Sequence, residues 1–208
     1  AAGNSQRFRA SGGGNKLMNR WGDGPMYRTA LERWKTAASG RLDGGAVYVV
    51  SREEEILAAA GQYGMIPVYS PESFRGISWS IRSGLLAAKE ETLARTGRSA
   101  EHYVFAVADQ PMLRTDTMER FLDKAKESVF ACLAWEETLG NPVAFPEKAV
   151  GELLQLEGDS GGKKVLRRHL EECTVVFAAS GEELRDIDTL EQLREARSGS
   201  LSKNFNTL

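Results

Sequence analysis

Two cysteines and two histidines are all that 208 residues carry of the side chains that most often bind zinc or relay protons. Cys132 and Cys173 belong to no C-x-x-C pair, which argues against a structural zinc site and a disulfide-stapled scaffold. Each lies in or beside an apolar run, so both are expected as small core residues on strands, with a disulfide between them left open. His102 and His169 have no Ser, Cys or Asp partner at a recognisable spacing, which disfavours a catalytic triad. No apolar run approaches the roughly 20 residues that a bilayer-spanning helix needs. The formal charge of only −2 excludes wholesale attraction to nucleic acid or an anionic membrane, so any basic site has to be local. With no signal-peptide pattern in view, a cytoplasmic protein that binds neither nucleic acid nor membrane is expected.

What the chain does have is alternation. Met26, Ala30, Leu31 and Trp34 fall at helical spacing within residues 25–37, with Pro25 near the first turn. A strand is expected over 46–50, a helix over 53–63, and a strand over 65–69 that Pro67 places near an edge. A turn at 70–72 precedes a long helix from 81 to about 95. Residues 103–108 are the most apolar strand and are expected at the sheet centre, followed by a helix over 115–128 and a strand over 129–134. Gly140-Asn141-Pro142 reads as a turn before a short strand, 143–145. Helices around 146–155 and 161–172, a strand over 174–179 and a helix over 189–197 complete the series. The fold class implied is α/β: a single domain, residues 1–197, with an open, mostly parallel twisted sheet and helices on both faces, Rossmann-like in layout. Residues 198–208 are polar and aperiodic and read as a loose tail. Ligands in such folds sit beyond the carboxyl ends of the strands.

That rule selects the chemistry. Ala1, Ala2, Gly3 and Ser5 open the chain, followed by Arg7, the glycine run 12–14 and Lys16. Small residues let backbone N–H groups approach an anion, Ser5 adds a donor, and Arg7 and Lys16 bring positive charge, which together make a seat for a polyphosphate. A loop of this kind should follow a strand, so about five or six apolar residues are expected ahead of Ala1. Asp109 follows the most apolar strand, and Asp186 and Asp188 follow the last one. Magnesium takes one or two protein carboxylates and completes its shell with water and phosphate oxygens, so Asp109 with Asp188 or Asp186 suits a magnesium nucleotide. Each acid equally reads as a cap, Asp109 for the turn before Pro111 and Asp188 for the helix at Thr189. Gly76, Ser78 and Ser80 precede the long helix, and Gly158-Asp159-Ser160-Gly161-Gly162 precedes a helix carrying Lys163, Lys164, Arg167 and Arg168, a second place for a phosphate.

Six segments in register, the opening loop with Asn15-Lys16-Leu17, residues 76–84, Val107-Ala108-Asp109-Gln110-Pro111, residues 140–145, Gly158-Asp159-Ser160-Gly161 and Asp186-Ile187-Asp188, closely resemble the nucleotidyltransferases of molybdenum cofactor synthesis, the MobA and MocA group. The resemblance covers nearly the whole chain. Ala1-Ala2-Gly3 and Ala108-Asp109-Gln110-Pro111 look like the members that use CTP, and the methyl of Ala2 would narrow the base pocket toward a pyrimidine. What the resemblance implies is transfer of CMP from CTP to molybdopterin with Mg2+ as cofactor, and a molybdenum hydroxylase apoprotein as a further partner. Lys16, Arg7 and Asp109 would be catalytic, and Asp109 and Asp188 would hold the metal. Ala1, Ala2, Gly3, Ser5, Arg7, Lys16, Gly76, Ser78 and Ser80 would contact the nucleotide, and Gly140, Asn141, Pro142, Asp159 and Asp186 the acceptor. Asn141, where many cytidylyl members have histidine, and the long insertion at residues 9–15 depart from the pattern. GMP transfer, CMP transfer to a sugar phosphate or methylerythritol phosphate, and a non-catalytic maturation factor are the alternatives.

Overall fold

The computed structural model describes residues 6–204, with side chains over 7–198. The chain order is α1 (Gln6–Ala10), β1 (Arg20–Trp21), β2 (Gly24–Pro25), α2 (Met26–Ala38), β3 (Tyr48–Ser51), α3 (Glu54–Gln62), β4 (Ile66–Tyr69), α4 (Ile77–Thr96), β5 (His102–Phe105), α5 (Thr115–Lys126), β6 (Phe130–Trp135), β7 (Thr138–Pro146), α6 (Val150–Leu154), α7 (Lys163–Leu166), β8 (Cys173–Phe177) and α8 (Leu190–Asn204). β3 and β4 pair in parallel, joined through α3. The larger sheet has the order β5-β7-β6-β8. β7 is antiparallel to β5 and β6, and β8 is parallel to β6, so β5, β6 and β8 point the same way and β7 alone is reversed. The result is a single α/β domain with a mixed sheet.

β6 reads Phe-Ala-Cys-Leu-Ala-Trp and is buried on both faces for five of its six residues, as expected of a strand with helices above and below. Its two faces feed different clusters. Phe130 and Cys132 pack with Ile81, Leu85 and Leu153, while Ala131 and Leu133 pack with Met118 and Phe121 of α5. A third cluster gathers Phe8, Leu31, Val49, Ile56 and Ile187 near the start of the described chain. Cys132 and Cys173 are free thiols on neighbouring strands, with their sulfurs 3.6 Å apart.

Several sequence expectations need correction. The run expected at the sheet centre, 103–108, forms β5 at one end of the larger sheet, and its second ladder edge faces a cavity. Gly140, Asn141 and Pro142 are not a turn but the middle of the nine-residue β7. They stay in the strand because the β6–β7 register shifts between Cys132 and Ala134, and such an irregularity tolerates a residue without N–H. The helix expected over 161–172 is only the four-residue α7 followed by a short 3-10 turn. The final helix continues to Asn204, so the start of the segment read as a loose tail is helical.

The long helix starts at Ile77 rather than Ile81, which puts Ser78 and Ser80 inside its first turn. Gly76 makes this start possible. Its φ of +134° belongs to a region that only glycine occupies readily, and a Cβ there would lie 2.2 Å from the Gly158 carbonyl oxygen. The same approach lets the Ser78 N–H donate to that carbonyl at 3.1 Å. Gly76→Ala is therefore expected to lose about 1–3 kcal/mol of stability from backbone strain, with Tm falling by about 2–4 °C per kcal/mol in a chain of this size. Thermal and urea unfolding against wild type check this, and an unchanged Tm would show that the two loops do not touch.

Candidate active site

Lys16 is the pivot. It opens a short 3-10 turn, Lys16–Met18, whose start is capped by the Asn15 side chain accepting from the Leu17 N–H at 3.1 Å. This fixes the backbone from which the lysine stem runs inward. Its ammonium lies 2.5 Å from Asp109 Oδ2 and 2.8 Å from Asp188 Oδ1, and only a tenth of its side chain is exposed. Arg7, on the solvent side, reaches Asp188 Oδ2 at 3.1 Å. Two acids from loops about 80 residues apart in sequence thus meet one cation from the glycine-rich loop.

The surrounding loops hold this geometry. The Ile187 N–H donates to the Asp109 carbonyl at 3.0 Å, tying the loop after β8 to the loop after β5. Ser11 accepts from the Leu190 N–H at 3.1 Å and donates to the Phe8 carbonyl at 2.8 Å, clamping α1 to the start of α8. Gly13 lies so close to the Phe8 ring that a Cβ would be 2.3 Å from it, hence the need for glycine there. The cap of α8 falls to Thr189 and Gln192. Thr189 Oγ1 accepts from the Gln192 N–H at 3.1 Å, and Gln192 Oε1 accepts from the N–H groups of Asp188 and Thr189 at 2.7 and 3.0 Å. This capping box leaves the Asp188 carboxylate free of that duty and turned to Lys16 and Arg7. Asp109 likewise spends Oδ2 on Lys16 rather than on the turn before Pro111.

The electrostatics agree with the distances. Burial would lower the Lys16 pKa, but the charges and hydrogen bonds of Asp109 and Asp188 more than offset it, so its pKa is raised and it stays an ammonium. Burial would raise Asp188, but the hydrogen bond and charge of Lys16, with Arg7 beside it, hold it below the usual carboxylate range. Asp186 keeps its residue surface largely open. The protein crowded around its carboxyl and the negative charge of Asp109 push its pKa up, against a hydrogen bond from Gln110.

No cluster of three or more His, Cys, Asp or Glu side chains suited to a metal occurs among the described residues. Asp109 Oδ1, however, is buried without a hydrogen-bond partner among the described residues, a coordination position left for a ligand. One such oxygen together with Asp188 matches the one or two carboxylates that magnesium takes when phosphates and water supply the rest.

The remaining sequence-identified residues form a second group. Gly76, Ser78 and the loop at Gly158 and Asp159 meet through the contact described above. Ser80, Asn141 and Asp159 line one cavity with Lys163, Lys164 and Arg167, and the cavity reaches Ala108, the neighbour of Asp109 in sequence. Gly140 packs so tightly on Leu184 that a Cβ would be 2.8 Å from it, and the Gln110 side chain donates to the Leu184 carbonyl at 3.0 Å. Leu184 therefore links the β7 segment to the Asp109 loop. Ala1, Ala2, Gly3 and Ser5 lie outside the described residues. His102 bonds the Ser128 carbonyl, and His169 stacks on Phe130 while meeting Glu152 at 2.7 Å, so both histidines are committed to structure.

Sequence reading missed two supports. Arg33 of α2 donates to the carbonyls of Pro111 and Leu113 at 2.5 and 2.7 Å, bracing the turn after Asp109. Glu183, almost fully buried, accepts from the N–H groups of Arg114 and Ala179 at 3.2 and 3.0 Å. Both look like solvated charges in a helix or turn pattern, and only the tertiary fold reveals them.

Solved structures share the fold. A nucleotidyl transferase from Methanothermobacter thermautotroptrophicus, Mth528, superposes with a TM-score of 0.75 at 21% identity, over 98% of this chain and 95% of that one. Rv0371c from Mycobacterium tuberculosis H37Rv superposes with a TM-score of 0.68 at 22% identity, over 95% of each chain. A CMP:2-keto-3-deoxy-manno-octonic acid synthetase solved with CTP shares the fold at a TM-score of 0.59 and 13% identity, over 90% of this chain and 92% of that one. Residues 1–173 match the family of MobA-like NTP transferase domains. The chain belongs to that family, the MobA-like NTP transferase domains, and is by that membership a nucleotidyltransferase.

Proposed function

We propose that the protein transfers CMP from CTP to the terminal phosphate of molybdopterin, giving molybdopterin cytosine dinucleotide and pyrophosphate. The observation that carries the reading is the Lys16 ammonium held by Asp109 and Asp188 beside Arg7, a preformed set of charges of the kind that phosphoryl-type transfer needs. An acceptor phosphate oxygen attacks the α-phosphorus of CTP, a new P–O bond forms, the bond to the β-phosphate bridge breaks, and pyrophosphate departs with the electron pair. Lys16 and Arg7 offset the charge gathering on the departing phosphates. The start of α4 at Gly76–Ser78 and the Gly158–Asp159 loop orient the reactants, so the rate gain comes from position and charge rather than from a side-chain nucleophile. Magnesium, when bound, would be held by Asp109 and Asp188 and would supply further neutralisation of phosphate charge.

A pyrophosphate-release assay crossing CTP, GTP and ATP with molybdopterin, a sugar phosphate and methylerythritol phosphate tests this reading. CTP with molybdopterin is expected to turn over at least about tenfold faster than any other pair, a difference that one base contact of about 1.4 kcal/mol in the transition state supplies. Faster turnover with GTP would overturn the nucleotide assignment. Faster turnover with another acceptor would overturn the pterin, and pterin binding without pyrophosphate release would make the chain a carrier.

A further inference from the structure

α4 has 20 residues, a length of about 30 Å, and it is apolar on two sides. One side faces the protein, where Ile81, Leu85 and Ala88 are buried. The other carries Trp79, Leu86 and Leu93 at a spacing of seven, which a helix turns into a stripe because each step drifts by only about 20°. Leu86 and Leu93 are 50% and 53% exposed, and Trp79 is half-buried. A single exposed leucine is ordinary, but an aligned row of large apolar side chains is the seam along which helices pair.

The charges beside this stripe are ordered. Arg82 stands four residues before Leu86 and Glu90 four after it, as Trp79 and Leu93 stand seven before and seven after. Leu86 is thus the centre of a face that matches itself when reversed. Neighbouring charges are committed within the chain: Lys89 meets Glu147 at 2.5 Å, and Arg95 meets Glu91 at 2.9 Å. Glu90 is exposed and makes no ion pair among the described residues. Trp79 is held in place, with Arg75 and Arg82 over its ring at 4.6 and 5.0 Å, and Arg82 also donates to the Leu154 carbonyl at 3.0 Å. Side chains ordered before contact lose little entropy on binding, and Trp and Arg are among the residues that dominate interface energies.

We propose that this face of α4 pairs with the same face of a second copy of the chain, antiparallel about a twofold axis through Leu86. That pairing sets Leu86 on the partner's Leu86, Trp79 on the partner's Leu93, and Arg82 level with the partner's Glu90, and the last two contacts occur twice by symmetry. A parallel pairing would bring the two Arg82 side chains together and the two Glu90 side chains together, and like charges disfavour it. An unrelated partner could cover the apolar stripe, but it has no reason to mirror the charge order around Leu86. One pair of helices buries less than the roughly 1,600 Å² of a standard interface, so the dimer is a dissociable one.

Sedimentation velocity over a concentration series, with two charge reversals and two cysteine variants, tests the geometry. The wild-type chain is expected to shift from monomer to dimer as its concentration rises. Arg82→Glu and Glu90→Arg each put like charges into both ionic contacts and are expected to raise the dimer dissociation constant about tenfold or more. An equal mixture of those two variants is expected to dimerise as wild type does, because every contact then again joins a cation to an acid. With a short bismaleimide, Leu86→Cys is expected to crosslink into a dimer, while Leu93→Cys, about 21 Å from its counterpart along the helix axis, reacts no more than wild type. A wild-type chain that stays monomeric throughout the series, charge variants that dimerise as well as wild type, a mixture no stronger than its components, or Leu93→Cys crosslinking as fast as Leu86→Cys would each overturn the proposal. Should Arg82→Glu fail to fold, Glu90→Arg and the cysteine pair decide the question, since all three positions are exposed.

Discussion

Lys16→Ala is expected to lower kcat by about 100-fold or more, the usual loss when one preorganised electrostatic group is removed from a charge-developing reaction. The reason is geometric: the ammonium already sits 2.5 and 2.8 Å from two acids on separate loops, so the alanine removes both a cation and the link between those loops. Stability should fall as well, by less than the roughly 3–5 kcal/mol of breaking a fully buried pair, because the Asp109 and Asp188 side chains remain 20% and 32% exposed. The pH dependence carries a sign. The folded pKa of Asp188 is depressed, so its stabilising contribution is complete above the ordinary aspartate value of about 3.9 and is lost as pH falls through the lower folded value. The Tm difference between wild type and Lys16→Ala should thus be widest near neutrality and close in acid. Steady-state pyrophosphate release and a Tm series against pH measure both effects. Turnover equal to wild type would remove Lys16 from the mechanism.

Asp109→Asn is the second large effect, and it separates charge from shape. Asparagine keeps the size of the side chain but removes the negative partner nearest Lys16 and the carboxylate oxygen that is buried and unpartnered. A fall in kcat of about 100-fold or more is expected, together with a higher magnesium concentration for half-maximal rate. Calorimetric titration of nucleotide with and without magnesium reads the second quantity apart from turnover. The metal-dependent part of the binding should shrink while the metal-free part stays. A variant that retained both full rate and the wild-type magnesium dependence would exclude Asp109 from either role.

Much of this was legible before any coordinates. Strand and helix periodicity located α2, β3, α3, β4, α5 and β6 to within a few residues, because their apolar positions recur at 3.6 or fill short continuous runs. Lys16, Asp109 and Asp188 were identifiable because they follow strands or sit in a glycine-rich loop, where an α/β fold gathers its ligands. Other features depend on contacts between distant segments and leave no local trace. Ser78 looked like a residue ahead of a helix because the start at Ile77 depends on Gly76 meeting Gly158, and that approach involves loops about 80 residues apart. Asn141 and Pro142 carry turn composition, yet the β6 pairings of Leu139 and Val143 on either side of them keep them within a strand across an irregularity in the ladder. Asp188 reads as a cap of α8 as readily as a ligand in sequence, and only the fold assigns that cap to Thr189 and Gln192.

The meeting of Gly76 with Gly158 bears on how such a protein acquires new specificity. The two walls share a backbone seam, so a change of length or conformation in one propagates to the other without passing through a side chain. Grafting a foreign segment onto either wall alone would therefore misalign its counterpart. Productive chimeras would have to exchange the two segments as a matched set.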